Sequence, residues 1–171
     1  SGTPRSSSTG PTVSGASGSI QTTTRNFNTG ANYTYDGTAA QVTGNGLPAT
    51  LNSLTINNNS GLTLTASATV NGTLTLTSGE LTTTASYQVN VANTSNSAIS
   101  GGGSSSYVNG TLNKAFTTGS GQTFTFPIGD DSAYTPVALA AMTVGTAGTL
   151  TATTTGGGEH PNIGTSGLDA A

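Results

Sequence analysis

The sequence predicts an all-β protein, a β-solenoid (parallel β-helix-like) segment followed by a partial β-sandwich. Three observations carry that expectation. Apolar and hydroxyl residues alternate with period two, as in Leu62-Thr63-Leu64-Thr65 and Leu74-Thr75-Leu76-Thr77, which turns Leu to one face of a strand and Thr to the other. Apolar positions recur about every 20 residues: Leu54 to Leu74 is 20, Leu62 to Leu81 is 19, Val70 to Val89 is 19, and Ile20 to Val42 is a looser 22. No stretch carries a 3.6-residue apolar period, so no helix longer than a turn is expected.

Residues 1–18 (SGTPRSSSTGPTVSGASG) have the composition of a Ser/Gly-rich linker or docking segment. Residues 19–113 form the solenoid-like repeat region. Its strand candidates are 19–23, 31–35, 41–43, 53–57, 61–65, 68–70, 73–77, 81–84, 87–91, 98–100 and 107–112. β-Branched Thr suits these strands. Turn chemistry separates them at Asn45-Gly46, Asn57-Asn58-Asn59-Ser60-Gly61, Asn71-Gly72, Ser78-Gly79 and Asn109-Gly110. Three short strands per repeat of about 20 residues describe one coil, which buries its Leu, Ile or Val against the next. Asn at the corners can stack between coils. An antiparallel sandwich with Asn-Gly hairpins is the competing arrangement. Residues 114–171 read as a partial β-sandwich of longer strands, 123–128, 134–142 and 149–155. The middle one, Pro136-Val137-Ala138-Leu139-Ala140-Ala141-Met142, is apolar enough for burial on both faces or in a sandwich core. Three strands close no sandwich, so completion by a neighbour or by further sequence is expected.

Composition then narrows function. Thr, Ser, Gly and Asn make up 97 of the 171 residues, and only nine are charged, against about one quarter in an average soluble domain. Arg5, Arg25 and Lys114 are too few and too scattered to neutralise a phosphate backbone, which excludes nucleic-acid binding. A net charge of −3 gives no attraction to an anionic membrane, and no run approaches the ~18–20 apolar residues of a spanning helix. Cysteine is absent, so stability is expected from stacked, hydrogen-bonded strands.

Several strings are distinctive. Residues 32–48 (NYTYDGTAAQVTGNGLP), 54–58 (LTINN), 70–79 (VNGTLTLTSG), 106–110 (SYVNG) and 124–130 (FTFPIGD) resemble repeat segments of very large exported surface proteins of Bacteroidetes-type bacteria. The resemblance covers roughly residues 19–168. It implies export by the type IX route, a secreted or cell-surface location on the bacterial exterior and an adhesin-like role, and it supplies no catalytic residues.

Few residues invite chemistry. His160, beside Glu159, is the only histidine; with no Cys or second His it makes no metal site and reads as an exposed loop residue. Asp130-Asp131 offers oxygens to calcium but lacks repeated acidic spacing. No nucleophile elbow, paired carboxylate or phosphate loop is present. No catalytic residue, metal or cofactor is therefore assigned, and an enzyme is not expected. Asp131-Ser132-Ala133 resembles the O-glycosylation signal of the same bacteria, making Ser132 a candidate site. Tyr33 and Tyr35 are candidate sugar-stacking aromatics, against the alternative that Tyr at strand positions more often packs. Ser1, Gly2, Thr3, Pro4 and Arg5 are candidates for a strand-addition segment.

The expectation is a non-enzymatic extracellular structural or adhesin-like protein. Its partners would be copies of itself, head to tail in a filament, or neighbouring repeats of a larger chain. The alternative is a carbohydrate- or ice-binding solenoid module contacting surface glycans, ice binding resting on the Thr-x-Thr pairs.

Overall fold

The structure, a computed structural model, describes residues 26–131 and 133–154. Over those residues the chain winds as a three-sided coil. The first turn contributes β1 (Asn32–Tyr35), β2 (Gln41–Val42) and β3 (Thr50–Leu51). The second gives β4 (Ser53–Asn57), β5 (Leu62–Thr63) and β6 (Ala68–Val70), and the third β7 (Leu74–Ser78), β8 (Leu81–Thr82) and β9 (Val89–Val91). The fourth holds β10 (Ile99–Gly101), β11 (Val108–Asn109) and β12 (Thr111–Phe116). Then follow β13 (Gly119–Phe126), β14 (Ile128–Gly129), β15 (Val137–Val144) and β16 (Gly148–Thr153). No helix occurs among the described residues.

Three sheets form the walls. The first has the order β1-β4-β7-β10, the second β14-β11-β8-β5-β2 and the third β16-β12-β9-β6-β3. All ladders in them are parallel except β12 with β16. This is a β-solenoid of about five turns. The antiparallel-sandwich alternative does not describe residues 32–116, whose ladders join successive coils in parallel.

Register explains the core. Alternation puts Tyr33, Leu54, Leu74 and Ile99 in one inward rank of the first sheet. Leu62, Leu81, Val108 and Ile128 stack in the second sheet, with Gln41 ahead of them. Most of these side chains are almost completely buried, and each buried Leu or Val stabilises the fold by roughly 1.5–3 kcal/mol. Gln41 is tolerated inside because its Oε1 accepts from Gly37 N at 3.0 Å and from Asn58 Nδ2 at 3.0 Å.

Polar side chains knit the corners. Asn58 is buried, donates also to the Ala39 carbonyl at 2.8 Å and accepts from Ser60 N at 2.9 Å. Asn52 donates to Asn32 Oδ1 at 2.6 Å across the corner before the first sheet. Thr43 and Thr83 use their hydroxyls to receive the backbone N–H of a later coil, Thr65 at 2.9 Å and Thr111 at 2.7 Å. These groups satisfy backbone donors that a bend leaves without a ladder partner.

Four expectations need correcting. Val70 pairs with Val91, and Val89 with Ala68. The third-turn corner, 83–88, is two residues longer than its counterpart 64–67, which slides the register by one pleat. The strand expected over 107–112 is two strands, β11 and β12, broken at Gly110 with φ 113°. A third-sheet strand, β3, stands where none was expected. Finally, no boundary falls at 113/114: β12 continues its ladder with β9 through Asn113 and Lys114, while β14 and β16 extend the solenoid's own sheets. What reads as a partial sandwich is a cap, in which only β13 and β15 form a separate two-stranded antiparallel sheet. The strand expected at 19–23, with its Ile20–Val42 match, lies outside the described residues.

Candidate functional site

Tyr33 and Tyr35 point into the coil. They retain 4% and 0% of their exposure, and their hydroxyls donate to the carbonyls of Asn28 at 2.9 Å and Thr43 at 3.2 Å. Burial raises the pKa of both phenols. Neither ring offers a face to a sugar, so both are core residues and not a stacking platform. Alternation itself demands this, since the residues one pleat away, Asn32 and Thr34, take the outward positions. Ser132, His160 and the segment Ser1, Gly2, Thr3, Pro4 and Arg5 lie outside the described residues.

The Thr-x-Thr pairs fall on different walls. Thr75 and Thr77 belong to the first sheet with Thr73 just ahead of β7, Thr63 belongs to the second with Thr65 just past β5, Thr123 and Thr125 belong to β13, and Thr149, Thr151 and Thr153 to β16. One outward rank, Thr34, Thr55, Thr75 and Ser100, runs in register across four coils.

A polar cluster occupies the second wall, where the chain makes an extra excursion through Gly101–Ser106. Tyr107 Oη lies 2.8 Å from Glu80 Oε1 and 2.7 Å from the Asp130 carbonyl, its single proton shared between two acceptors. Asn109 gives one amide hydrogen to Glu80 Oε2 at 2.9 Å and the other to Asp131 Oδ1 at 2.6 Å. Asp130 Oδ1 caps the turn by accepting from Ala133 N at 2.9 Å. Burial, then the hydrogen bond to Glu80 and the charges of Glu80, Asp130 and Asp131, push the Tyr107 phenol up to about 12. Beside the cluster runs an open cleft of about 300 Å³ lined by Asn59, Ser60, Thr63, Glu80, Ser104 and Ser105. No group of three His, Cys, Asp or Glu side chains able to hold a metal ion occurs among the described residues. The cluster holds turns together and presents one carboxylate to the cleft. The sequence period did not reveal it, because Glu80 and Tyr107 are 27 residues apart across the inserted loop.

The cap carries the other unusual chemistry. Lys114 continues the inward rank of Leu51, Val70 and Val91 and is completely buried. Its Nζ donates to the Ala115 carbonyl at 2.6 Å and stands 4.5 Å from the centroid of Phe116 and 5.2 Å from that of Phe124. Phe116, Phe124 and Phe126 pack edge-on or tilted around it. Burial lowers the Lys114 pKa to about 8, while the ring faces favour the charged form. Sequence alternation alone, Leu112-Asn113-Lys114-Ala115-Phe116, places Lys114 inward and was the available signal.

β15 departs from expectation most. Its apolar sequence is not buried on both faces: Val137 is 43% exposed, Ala138, Ala140 and Ala141 are exposed, and only Leu139, Met142 and Val144 are half-buried. The β13·β15 ladder slips register twice, and Ala141 sits at φ 53°, a left-handed conformation typical of a bulge. Leu150 on β16 is 41% exposed. Met142, Val144 and Leu150 border a shallow apolar cleft of about 360 Å³.

Compared with known proteins, the chain matches no family model, no curated protein and no solved structure.

Proposed function

We propose that this chain is a non-enzymatic structural or adhesin-like unit of the bacterial exterior, whose copies join head to tail by strand addition. The observation that carries the reading is the apolar, half-exposed β15 beside the exposed β16, at one end of a stacked solenoid. Open apolar strands of this kind are templates for pairing with another chain, and a head-to-tail contact that does not close builds a fibre. Scarce charge supports the same reading. Of the described residues only Asp36, Glu80, Lys114, Asp130 and Asp131 are charged, and Lys114 is interior. The sequence resemblance to exported surface proteins bears on location.

Electron microscopy and size-exclusion chromatography of the protein with and without residues 1–24 test the proposal. Linear assemblies that disappear on truncation are expected. A strictly monomeric full-length protein would overturn it.

A second reading is a carbohydrate-binding module, favoured by the polar cleft at Glu80. A glycan array with wild type and Glu80→Gln checks it, and binding shown by wild type alone would place sugars at that cleft.

A further inference from the structure

The second and third sheets have five strands each, and the first has four. Chain order explains what is missing. In each complete coil a first-sheet strand precedes a second-sheet strand: β4 before β5, β7 before β8, β10 before β11. β13 stands in that place before β14, yet it pairs with β15 and not with β10. The first sheet therefore stops at β10, whose only ladder partner among the described strands is β7.

Between β10 and the β13·β15 pair lies a cleft of about 340 Å³. Ile99 and Gly101 of β10 line one side, and Thr123, Phe124 and Thr125 of β13 with Leu139 of β15 line the other. Open strand edges thus flank a cleft of mixed lining, where Ile99, Phe124 and Leu139 stand among Asn96, Thr123, Thr125 and Tyr134; β-augmentation uses backbone hydrogen bonds from such an edge and a pocket for alternate side chains.

We infer that this notch is the acceptor for strand addition and that its occupant is residues 19–24 of a second copy. The inference rests on the head-to-tail reading above. Ser19-Ile20-Gln21-Thr22-Thr23-Thr24 is rich in β-branched residues, with Ile20 as its one apolar side chain. With Ile20 beside Ile99 the inward rank becomes Tyr33, Leu54, Leu74, Ile99, Ile20. Gln21 then extends the outward rank beyond Ser100. The inserted strand joins the four-stranded and two-stranded sheets into one.

Reach favours a second copy over the chain's own segment. Only the seven residues 25–31 separate this segment from β1, and β1 lies at the opposite end of the solenoid from the notch. Seven residues span at most ~25 Å, whereas passing four coils at ~4.8 Å per strand uses ~20 Å before any turn is made. In a copy stacked on the cap, the same segment starts at the junction.

The chain contains no cysteine, so introduced thiols report contacts cleanly. Gln21→Cys and Ser100→Cys are made in separate proteins, mixed and oxidised, with Thr84→Cys replacing Ser100→Cys as the off-notch control. A disulfide-linked heterodimer from the first mixture only is expected. Ile20→Glu, outside the described coils, is expected to weaken assembly by at least ~tenfold in Kd. Assemblies that need residues 1–24 but tolerate Ile20→Glu, with no disulfide between the Gln21→Cys and Ser100→Cys proteins, would overturn the notch while leaving head-to-tail assembly standing. An intrachain link in the variant carrying both substitutions would overturn the choice of a second copy. A wild type that is monomeric throughout would overturn both readings.

Discussion

Lys114→Met offers the sharpest test of how the cap is held. The lysine fills an inward position that Leu51, Val70 and Val91 occupy in the coils below. An unfolded chain keeps its proton up to the ordinary pKa of 10.5, whereas the folded chain releases it near 8 because of burial. Between those values unfolding takes up a proton, so stability rises with pH. At 1.36 kcal/mol per unit the full interval is worth roughly 3 kcal/mol. Two cation–π contacts, at about 0.5–1 kcal/mol each, hold the charged form back. The expected gain from pH 7 to pH 9.5 is therefore about 1–2 kcal/mol. Met keeps the volume and removes the charge, so at pH 7 the variant should be more stable by a similar ~1–2 kcal/mol and lose the pH dependence. Urea denaturation followed by circular dichroism, at half-unit steps of pH, reads both effects. Above pH 10 Tyr35 and Tyr107 oppose the trend in both proteins. Burial raises their pKa values, with Glu80 also acting on Tyr107, so the unfolded state loses those protons first and stability falls. A wild-type midpoint that stays flat or drops between pH 7 and 9.5 relative to Lys114→Met would refute the argument. So would a variant less stable than wild type at pH 7 by more than ~1 kcal/mol.

Three further outcomes are expected. Gly79→Ala should destabilise by more than ~3 kcal/mol, since Gly79 has φ 76° and an added Cβ would meet the Asn58 carbonyl oxygen at 1.7 Å; a thermal melt within a few degrees of wild type would contradict this. Asn58→Ala removes hydrogen bonds to Ala39, Gln41 and Ser60 and strips the buried Gln41 of one donor, costing about 2–4 kcal/mol in urea titrations. Ala141→Gly relieves a left-handed alanine at φ 53° and should leave stability unchanged or raise it by up to ~1 kcal/mol; a clear loss would show that the Ala141 methyl is needed for packing.

The solenoid was legible because its signal is local and repeated. Leu54, Leu74, Leu62 and Leu81 alternate with Thr, and each inward position meets its counterpart one coil on, so period and face could be read from spacing alone. The same alternation implied that Tyr33 and Tyr35 turn inward, and of the two roles open to them, stacking on sugars and packing, burial leaves packing. Spacing failed where corners change length. Two extra residues moved Val89 from Val70 to Ala68, and the Gly101–Ser106 loop separated Glu80 from Tyr107. The cap was the least legible part, because strand pairing there is a contest between partners that sequence does not rank. β13 takes β15 and leaves β10 laddered to β7 alone among the described strands, and an apolar β15 stays half open. By itself the sequence determined the all-β class, the stacked coils and the low-charge surface, since those follow from side-chain alternation and turn chemistry. Tertiary structure decided the length of each corner, the burial of Lys114 among phenylalanines and the one-strand notch beside β10. These depend on which segments meet across space, and no periodicity along the chain encodes that.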